Sequence, residues 1–393
     1  MRRSKGFALV LSVLALLQAL PALAQANDIK LMTINCYCFP TGKTSLLKGL
    51  TSIGNFLAPA VGKKVDVVDL QKGIQKEAPQ RIDEIAAQIL RNSPDVIFFQ
   101  ELWGDDNKNR MIDRLSANYK YNYWNDKNRH GVTELDDGLL IMSRWVPYHT
   151  ACLQYEHTYD DEKHANKGAL LMALYNPQNG FITLVNTHMQ SGTDNEACAT
   201  KEAQIREIGE WVRGLKRKDW RIANSDFIVG GDFNEPFCLQ ADKGQIIDRT
   251  AYLTRVYNQE GMPLNNLQMR DWLCNHYKIN KVVEVDQIRR GGAILAKGQP
   301  GAEMLSAEDP VAGRFNGGSG GQWTYWAVAS EPTGWQVLDH FFMNPARCKM
   351  KSFIVLRSEF LGDRRPDVAF DPYKAISDHA ALVMVVGLPN GLP

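Results

Sequence analysis

Six times along this chain an apolar, strand-like run ends in side chains able to hold a proton, a phosphate or a metal. The endings are Thr33-Ile34-Asn35, Phe99-Gln100-Glu101, Asn186-Thr187-His188-Met189-Gln190, Gly230-Gly231-Asp232-Phe233-Asn234, Leu338-Asp339-His340 and Ser377-Asp378-His379. One strand-end Asp is ordinary turn chemistry. Six such ends carrying Asp, Glu, Asn and His ask for a rigid sheet that feeds them to a common place. Strand patterns run from Asp28 to Asn35, Asp95 to Gln100, Gly138 to Ser143, Gly168 to Leu174, Phe181 to Asn186, Phe227 to Gly230, Val337 to Met343 and Ala380 to Val386. Between them, Arg81 to Arg91 places Ile82, Ile85, Ala86 and Ile89 on one helical face, and Ala199 to Leu215 does the same with Ala203, Ile205, Ile208 and Val212. Some strands are separated by long helices and others follow closely. That predicts a mixed α/β sandwich, not a purely parallel doubly wound sheet.

The N-terminus predicts a compartment. Basic Arg2, Arg3 and Lys5 precede the apolar run Phe7 to Leu20, and small residues follow in Ala22-Leu23-Ala24-Gln25-Ala26. This is the layout of a cleaved secretory signal, and the run is shorter than the roughly 20 residues that span a bilayer. Residues 1–26 are expected to be removed and the protein to be secreted or periplasmic. The 393-residue chain has 45 basic and 44 acidic side chains, a net charge of +1. Cleavage after Ala26 removes three bases and no acid, leaving a net charge of −2. A chain without basic excess lacks the electrostatic footprint of broad nucleic-acid binding, so no stable nucleic-acid partner is expected. Seven Cys (Cys36, Cys38, Cys152, Cys198, Cys238, Cys274 and Cys348) lie beyond residue 26. Export permits disulfides, and the odd count leaves at least one thiol without a partner in the same chain. Competing motifs fail. Thr41-Gly42-Lys43-Thr44 has Tyr37 where a phosphate loop needs Gly, and the chain has no GxSxG elbow.

In order, the six clusters resemble the endonuclease/exonuclease/phosphatase superfamily, the fold of pancreatic deoxyribonuclease, from Ile29 to about Val386. The resemblance implies a four-layer α-β-β-α sandwich of two packed mixed β-sheets flanked by helices. It also implies cleavage of phosphate esters with a divalent metal, usually Mg2+. Such hydrolysis needs a positioned water, charge relief on the phosphoryl oxygens and help for the leaving oxygen. Magnesium keeps most of its waters and takes one or two protein carboxylates. The resemblance assigns Glu101 to the metal, with the amide oxygen of Asn35 beside it. It gives Asp232 the attacking water, with Asn234 steadying the same group. His379 becomes the general base/acid facing the phosphate, its imidazole tautomer fixed by Asp339. Asp378 is expected near the metal or holding the His379 loop, and His188 is expected to donate to a phosphoryl oxygen.

Three segments resemble the neutral and bacterial sphingomyelinase branch. Asp136 to Pro147 resembles its DGG(V/L)xIxSKxP strand, with Asp137 in place of the first Gly. Asn166-Lys167-Gly168 resembles its NKG, and Asn186 to Gln190 its THLQ. The resemblance implies hydrolysis of sphingomyelin to ceramide and phosphocholine, with Asn166 and Lys167 at the substrate. Trp323, Tyr325, Trp326 and Trp335 cluster before Leu338. Aromatic faces attract a trimethylammonium by about 0.5–2 kcal/mol per contact, so Trp323 and Trp326 are candidate choline contacts. The resemblance also suggests pairing of Cys152 with Cys198. One catalytic domain is expected over 27–393, with insertions near 40–78 and 286–322. In the first insertion, Leu46, Leu50, Ile53 and Leu57 with nearby lysines suit either packing on the body or peripheral contact with a membrane. A phospholipid at a membrane surface is the expected partner and a monomer the expected state. A nuclease or toxin subunit of the same fold, and a non-catalytic membrane-binding protein, are the other readings.

Overall fold

The computed structural model describes residues 28–38, 76–125, 136–160, 162, 165–176, 180–192, 195–240, 244–284, 335–356, 359–360 and 374–388. The expected signal, the Leu46 to Leu57 stripe, and Trp323, Tyr325 and Trp326 lie outside these residues, as does most of both expected insertions.

Among the described residues, thirteen strands form two sheets. They are β1 (Asp28–Cys38), β2 (Val96–Leu102), β3 (Tyr121–Tyr123), β4 (Leu140–Ser143), β5 (Pro147–Gln154), β6 (Gly168–Asn176), β7 (Gly180–His188), β8 (Asp226–Gln240), β9 (Gln245–Asp248), β10 (Lys281–Glu284), β11 (Trp335–Met343), β12 (Lys349–Leu356) and β13 (Ala381–Gly387). One sheet has the order β12-β13-β1-β2-β4-β3. The other runs β10-β9-β8-β7-β6-β5, with β11 paired to β8. Both are mixed: β1 is parallel to β2 and antiparallel to β13, and β7 is parallel to β8 and antiparallel to β6. The helices are α1 (Ala78–Asn92), α2 (Asp105–Leu115), α3 (Asn195–Lys218), α4 (Trp220–Ala223), α5 (Ala251–Gln259) and α6 (Leu267–His276).

The two-residue period of a strand builds the layers. Ile29 and Leu31 of β1, Val96 and Phe98 of β2, Ile182 and Leu184 of β7, Ile228 of β8 and Phe341 of β11 meet in one core between the sheets. The alternate residues turn outward. Met32, Ile34, Ile97 and Phe99 meet Ile82, Ile85 and Ile89 of α1 and Met111 of α2. Val185 and Val229 meet Ile205, Ile208 and Val212 of α3 and Leu253 of α5. The result is the four-layer α-β-β-α sandwich. Cys152 is exposed on β5, whereas the Cys198 thiol is buried on α3, and the two are not bonded to each other. The suggested pairing is therefore corrected: the Cys198 thiol turns into the interior, 3.6 Å from Glu235 Oε2, while Cys152 is exposed.

Close packing fixes two glycines in β8. Gly230 lies under Phe341 and Phe98, whose ring centroids are 6.2 Å apart, and a Cβ there would stand 2.6 Å from the Phe341 ring. Gly231 has φ +136°, and its Cβ would fall 2.0 Å from the Thr187 carbonyl oxygen of β7. A backbone atom cannot rotate away as a side chain can. Gly231→Ala is therefore expected to destabilise the protein by about 3 kcal/mol or more, seen as a lower urea midpoint. A midpoint unchanged from wild type would contradict this packing.

Candidate active site

At one end of the sandwich the inter-sheet stripe changes from apolar to polar on every central strand. In β1 it runs Ile29, Leu31, Thr33, Asn35; in β7, Ile182, Leu184, Asn186, His188; in β8, Ile228, Gly230, Asp232. A buried amide layer comes first. Gln100 donates from Nε2 to Thr33 Oγ1 at 3.1 Å and to Asn186 Oδ1 at 2.6 Å. Asn186 Nδ2 donates to the Phe99 carbonyl at 2.9 Å. This layer ties β1 and β2 of one sheet to β7 of the other and forms the floor of the site.

Above it stand the ionisable groups. Asn35 Nδ2 donates to Glu101 Oε1 at 2.8 Å and to Asp232 Oδ2 at 2.9 Å, while its Oδ1 accepts from the Tyr37 N–H at 3.1 Å. Asn35 turns its amide nitrogen to the centre and sets the spacing of two carboxylates, and its oxygen is used by the β1 backbone. Strict alternation would send the Glu101 side chain outward beside Phe99. Its left-handed backbone (φ 49°) breaks the alternation and lets the carboxylate meet Asn35. Asn234 does the same for β8: its φ is 50°, and the strand switches from outward Phe233 to inward Phe237 across it. Asn234 Nδ2 donates to the Met189 carbonyl at 2.9 Å, and its N–H to Asp232 Oδ1 at 2.8 Å.

His188 Nε2 lies 3.6 Å from Asp232 Oδ2 and 3.8 Å from Glu101 Oε1. Burial, with Lys167 nearby, holds its pKa well below the ordinary value, so the ring is neutral at pH 7. His379 is the opposite case. Burial alone would lower its pKa, but Asp339, Asp232 and Asp378 outweigh burial and raise it. Its Nδ1 bonds Asp339 Oδ2 at 2.7 Å, and its Nε2 stands 3.8 Å from Asp232 Oδ2. Burial alone would raise the Asp232 pKa; the two histidines, then Asn35 and the Asn234 N–H, bring it below the usual range. Glu101 is raised, chiefly by burial. The site thus holds an ionised carboxylate, a neutral imidazole and a cationic imidazole within a few ångströms.

Asp378 is buried, and burial pushes its pKa up to about 7. It stands outside both groups of converging ligand atoms, which are Glu101, His188 and Asp232, and Asp232, Asp339 and His379. Its neighbour Ser377 donates to the Asn35 carbonyl at 2.6 Å and accepts from the His379 N–H at 3.1 Å, fastening the His379 loop to β1. Lys167 is buried. It pairs with Glu162 at 2.7 Å and donates to the Met189 carbonyl at 2.8 Å, one residue beyond His188. Asn166 adopts φ 43° and accepts from Gln154 Nε2 at 3.1 Å. His340, adjacent to Asp339, faces away: its Nε2 meets the Glu235 carbonyl at 2.6 Å and aromatic rings surround it.

Arg81 is a contributor that strand-end reading does not reveal. It lies on the buried face of α1 and donates to the carbonyls of Cys36, Tyr37 and Ile376, locking the end of β1 to the His379 loop. Its readable signal is a cation on the apolar stripe of its helix.

The donor set fits a divalent cation. Ligand atoms of Glu101, His188 and Asp232 lie within 4.8 Å of one another. Two carboxylates, Glu101 partly buried and Asp232 fully buried, share one amide, and Asp339 Oδ1 is buried without a hydrogen-bond partner among the described residues. Carboxylate oxygens with one imidazole suit a hard or borderline cation.

The model of the Endonuclease/Exonuclease/phosphatase family matches residues 32–379. No curated protein matches the chain. Among solved structures, the chain is similar to beta toxin from Staphylococcus aureus at 14% identity and TM-score 0.49, covering 91% of this chain and 99% of that one. It is similar to sphingomyelinase C from Streptomyces griseocarneus at 13% identity and TM-score 0.48, covering 91% and 99%. The human Nocturnin catalytic domain is similar at 15% identity and TM-score 0.47, covering 92% and 94%.

Proposed function

The chain belongs to the endonuclease/exonuclease/phosphatase family, and on that premise we propose that it is an exported, Mg2+-dependent phosphodiesterase that releases phosphocholine from sphingomyelin. The observation that carries the reading is the placement of Lys167. The Asn166-Lys167-Gly168 segment brings one buried cation next to the His188 strand end, electrostatically coupled to both His188 and Glu101. A site with a buried lysine beside the carboxylates suits one phosphate on a headgroup better than a polyanion that must be tracked along its length. The Asp136 to Pro147 segment adds support. Gly138 packs against Trp103, whose ring centroid is 6.3 Å from that of His188.

Each residue then has a task. Glu101 and Asp232 would hold the cation, which would supply charge relief on the phosphoryl oxygens. Asp232 is ionised and set by Asn35 and the Asn234 N–H, so it orients the attacking water and accepts its proton. Neutral His188 donates a hydrogen bond to a phosphoryl oxygen. His379, held cationic by Asp339, stabilises the developing negative charge and protonates the leaving oxygen. Lys167 adds positive potential at the phosphate. Trp323 and Trp326 are proposed to face the choline, and export is proposed from residues 1–26. Contact with the lipid surface is proposed to be peripheral, by a monomer.

One assay separates the readings. Purified protein with magnesium is offered sphingomyelin vesicles and plasmid DNA in parallel. Phosphocholine release without nicked DNA is expected. Nicked DNA without phosphocholine would move the assignment to a nuclease, and binding to vesicles without either product would leave a non-catalytic membrane protein.

A further inference from the structure

α3 carries buried polar side chains on a face that otherwise reads as apolar. Its buried residues include Ala197, Cys198, Ile205 and Ile208, yet Lys201 and Gln204 sit among them, both completely buried. A lysine there must use all three of its N–H groups, and Lys201 does. Its Nζ donates to the Gly192 carbonyl, the Asn234 carbonyl and Glu235 Oε2, each at 2.7 Å. Gln204 accepts from the Gln190 N–H at 3.0 Å and donates to the His157 carbonyl at 2.9 Å. Glu235 is also completely buried. It receives Arg249 Nε at 3.0 Å and the Tyr252 hydroxyl at 2.9 Å. Burial alone would raise its pKa, but Lys201 and Arg249 bring it below the usual range.

The acceptors share a location. Gln190 and Gly192 follow His188 at the end of β7, and Asn234 and Glu235 follow Asp232 in β8. Asn234 is the left-handed residue whose N–H orients Asp232, and its carbonyl is the one Lys201 holds. We propose that Lys201, anchored by Glu235, is a positioning residue for the phosphodiesterase reaction, fixing the loop after His188 to the turn that aims Asp232. This rests on the hydrolase reading above. Lys201 acts through Asn234 and does not touch the substrate.

The test uses Lys201→Met and Lys201→Gln in the full chain. The soluble diester bis(p-nitrophenyl) phosphate is assayed with magnesium, and amide hydrogen exchange is followed over residues 230–236. Lys201→Met is expected to lower kcat 30- to 100-fold with KM within threefold. Exchange over residues 230–236 is expected to speed at least tenfold. Lys201→Gln, which keeps two donors, is expected to restore part of both. A folded Lys201→Met protein with kcat within threefold of wild type, a loss confined to KM, or unchanged exchange would overturn the proposal. Should Lys201→Met fail to fold, Glu235→Gln takes its place. It keeps the shape and weakens the anchor, with at least a tenfold fall in kcat and faster exchange expected; wild-type values for either overturn the proposal. Wild-type protein inactive on the diester would defeat the hydrolase reading instead, and the exchange measurement would still decide whether Lys201 holds the turn.

Discussion

Asp339→Asn is expected to lower kcat by roughly 10^3- to 10^4-fold while leaving the fold intact. The substitution is isosteric at a fully buried position, so it opens no cavity. What changes is the partner of His379 Nδ1, now 2.7 Å from a carboxylate oxygen. A carboxylate stabilises the imidazolium and fixes its orientation. An amide does neither, and it can hold the ring in the wrong tautomer. Positioned acid–base groups typically contribute roughly 10^2–10^4-fold, and here the same residue supplies both charge and geometry. The pH profile carries a second signature. Asp339, with Asp232 and Asp378, raises the His379 pKa above its ordinary value. The wild-type acid form therefore persists into alkaline solution. Removing the largest of these carboxylate effects lowers that pKa, so the alkaline limb of kcat/KM shifts to lower pH. His379→Ala should lose at least as much activity and should lose that limb altogether. An Asp339→Asn enzyme within tenfold of wild type, with an unmoved alkaline limb, would remove His379 from the proposed acid role.

Much of this site was legible because it continues the periodicity of the core. Asn35, His188, Asp232 and Asp339 occupy the positions at which the inward-facing stripe turns polar, and period-two patterning reads that directly. The eight strand runs and two helices marked by sequence all appear, with their ends shifted by a few residues except in β8, which continues ten residues past Gly230 to Gln240. Side chains that depend on left-handed backbone were not legible in the same way. Asn at φ 50° in position 234 is a residue type enriched in that region, but nothing in the sequence marks Glu101 as left-handed. Alternation alone would have pointed Glu101 away from the site. The amide direction of Asn35 also required the structure, because it is decided by the Tyr37 N–H competing for its oxygen. α2 has a weak helical signal in the sequence because its buried apolar side chains are only Met111 and Leu115, beside buried Asn107 and Lys108. Lys108 is buried because Asp136 accepts from its Nζ at 2.7 Å, a partner 28 residues away that helical periodicity cannot supply. Lys201 and Arg81 share this logic. Each is a cation on an apolar helix face whose carbonyl acceptors come from distant strands.

Glu101→Gln tests the metal assignment through stability and activity with opposite signs. Glu101, partly buried, and Asp232, fully buried, face one another across the single amide of Asn35, and Glu101 is raised chiefly by desolvation with Asp232 adding to the effect. A carboxylate whose folded pKa is raised contributes stability below its unfolded pKa, and that stability is lost as pH rises through the folded value. At neutral pH its charge therefore weakens the metal-free fold. Glutamine removes the charge and keeps an oxygen to accept from Asn35 Nδ2. The metal-free variant should melt at a higher temperature than metal-free wild type. Added magnesium should raise the melting temperature of wild type by mass action and raise that of the variant far less, because one of two carboxylate ligands is gone. Activity should fall roughly 10^3-fold, the scale expected when preorganised stabilisation of phosphoryl charge is removed. Chelation of wild type should abolish turnover, and magnesium should restore it. Calorimetry of both proteins with and without magnesium chloride, alongside kcat, reads all of these effects. If magnesium stabilises Glu101→Gln as much as wild type and kcat stays within tenfold, the cation is held elsewhere, and the two carboxylates on Asn35 are a polar pair without a metal.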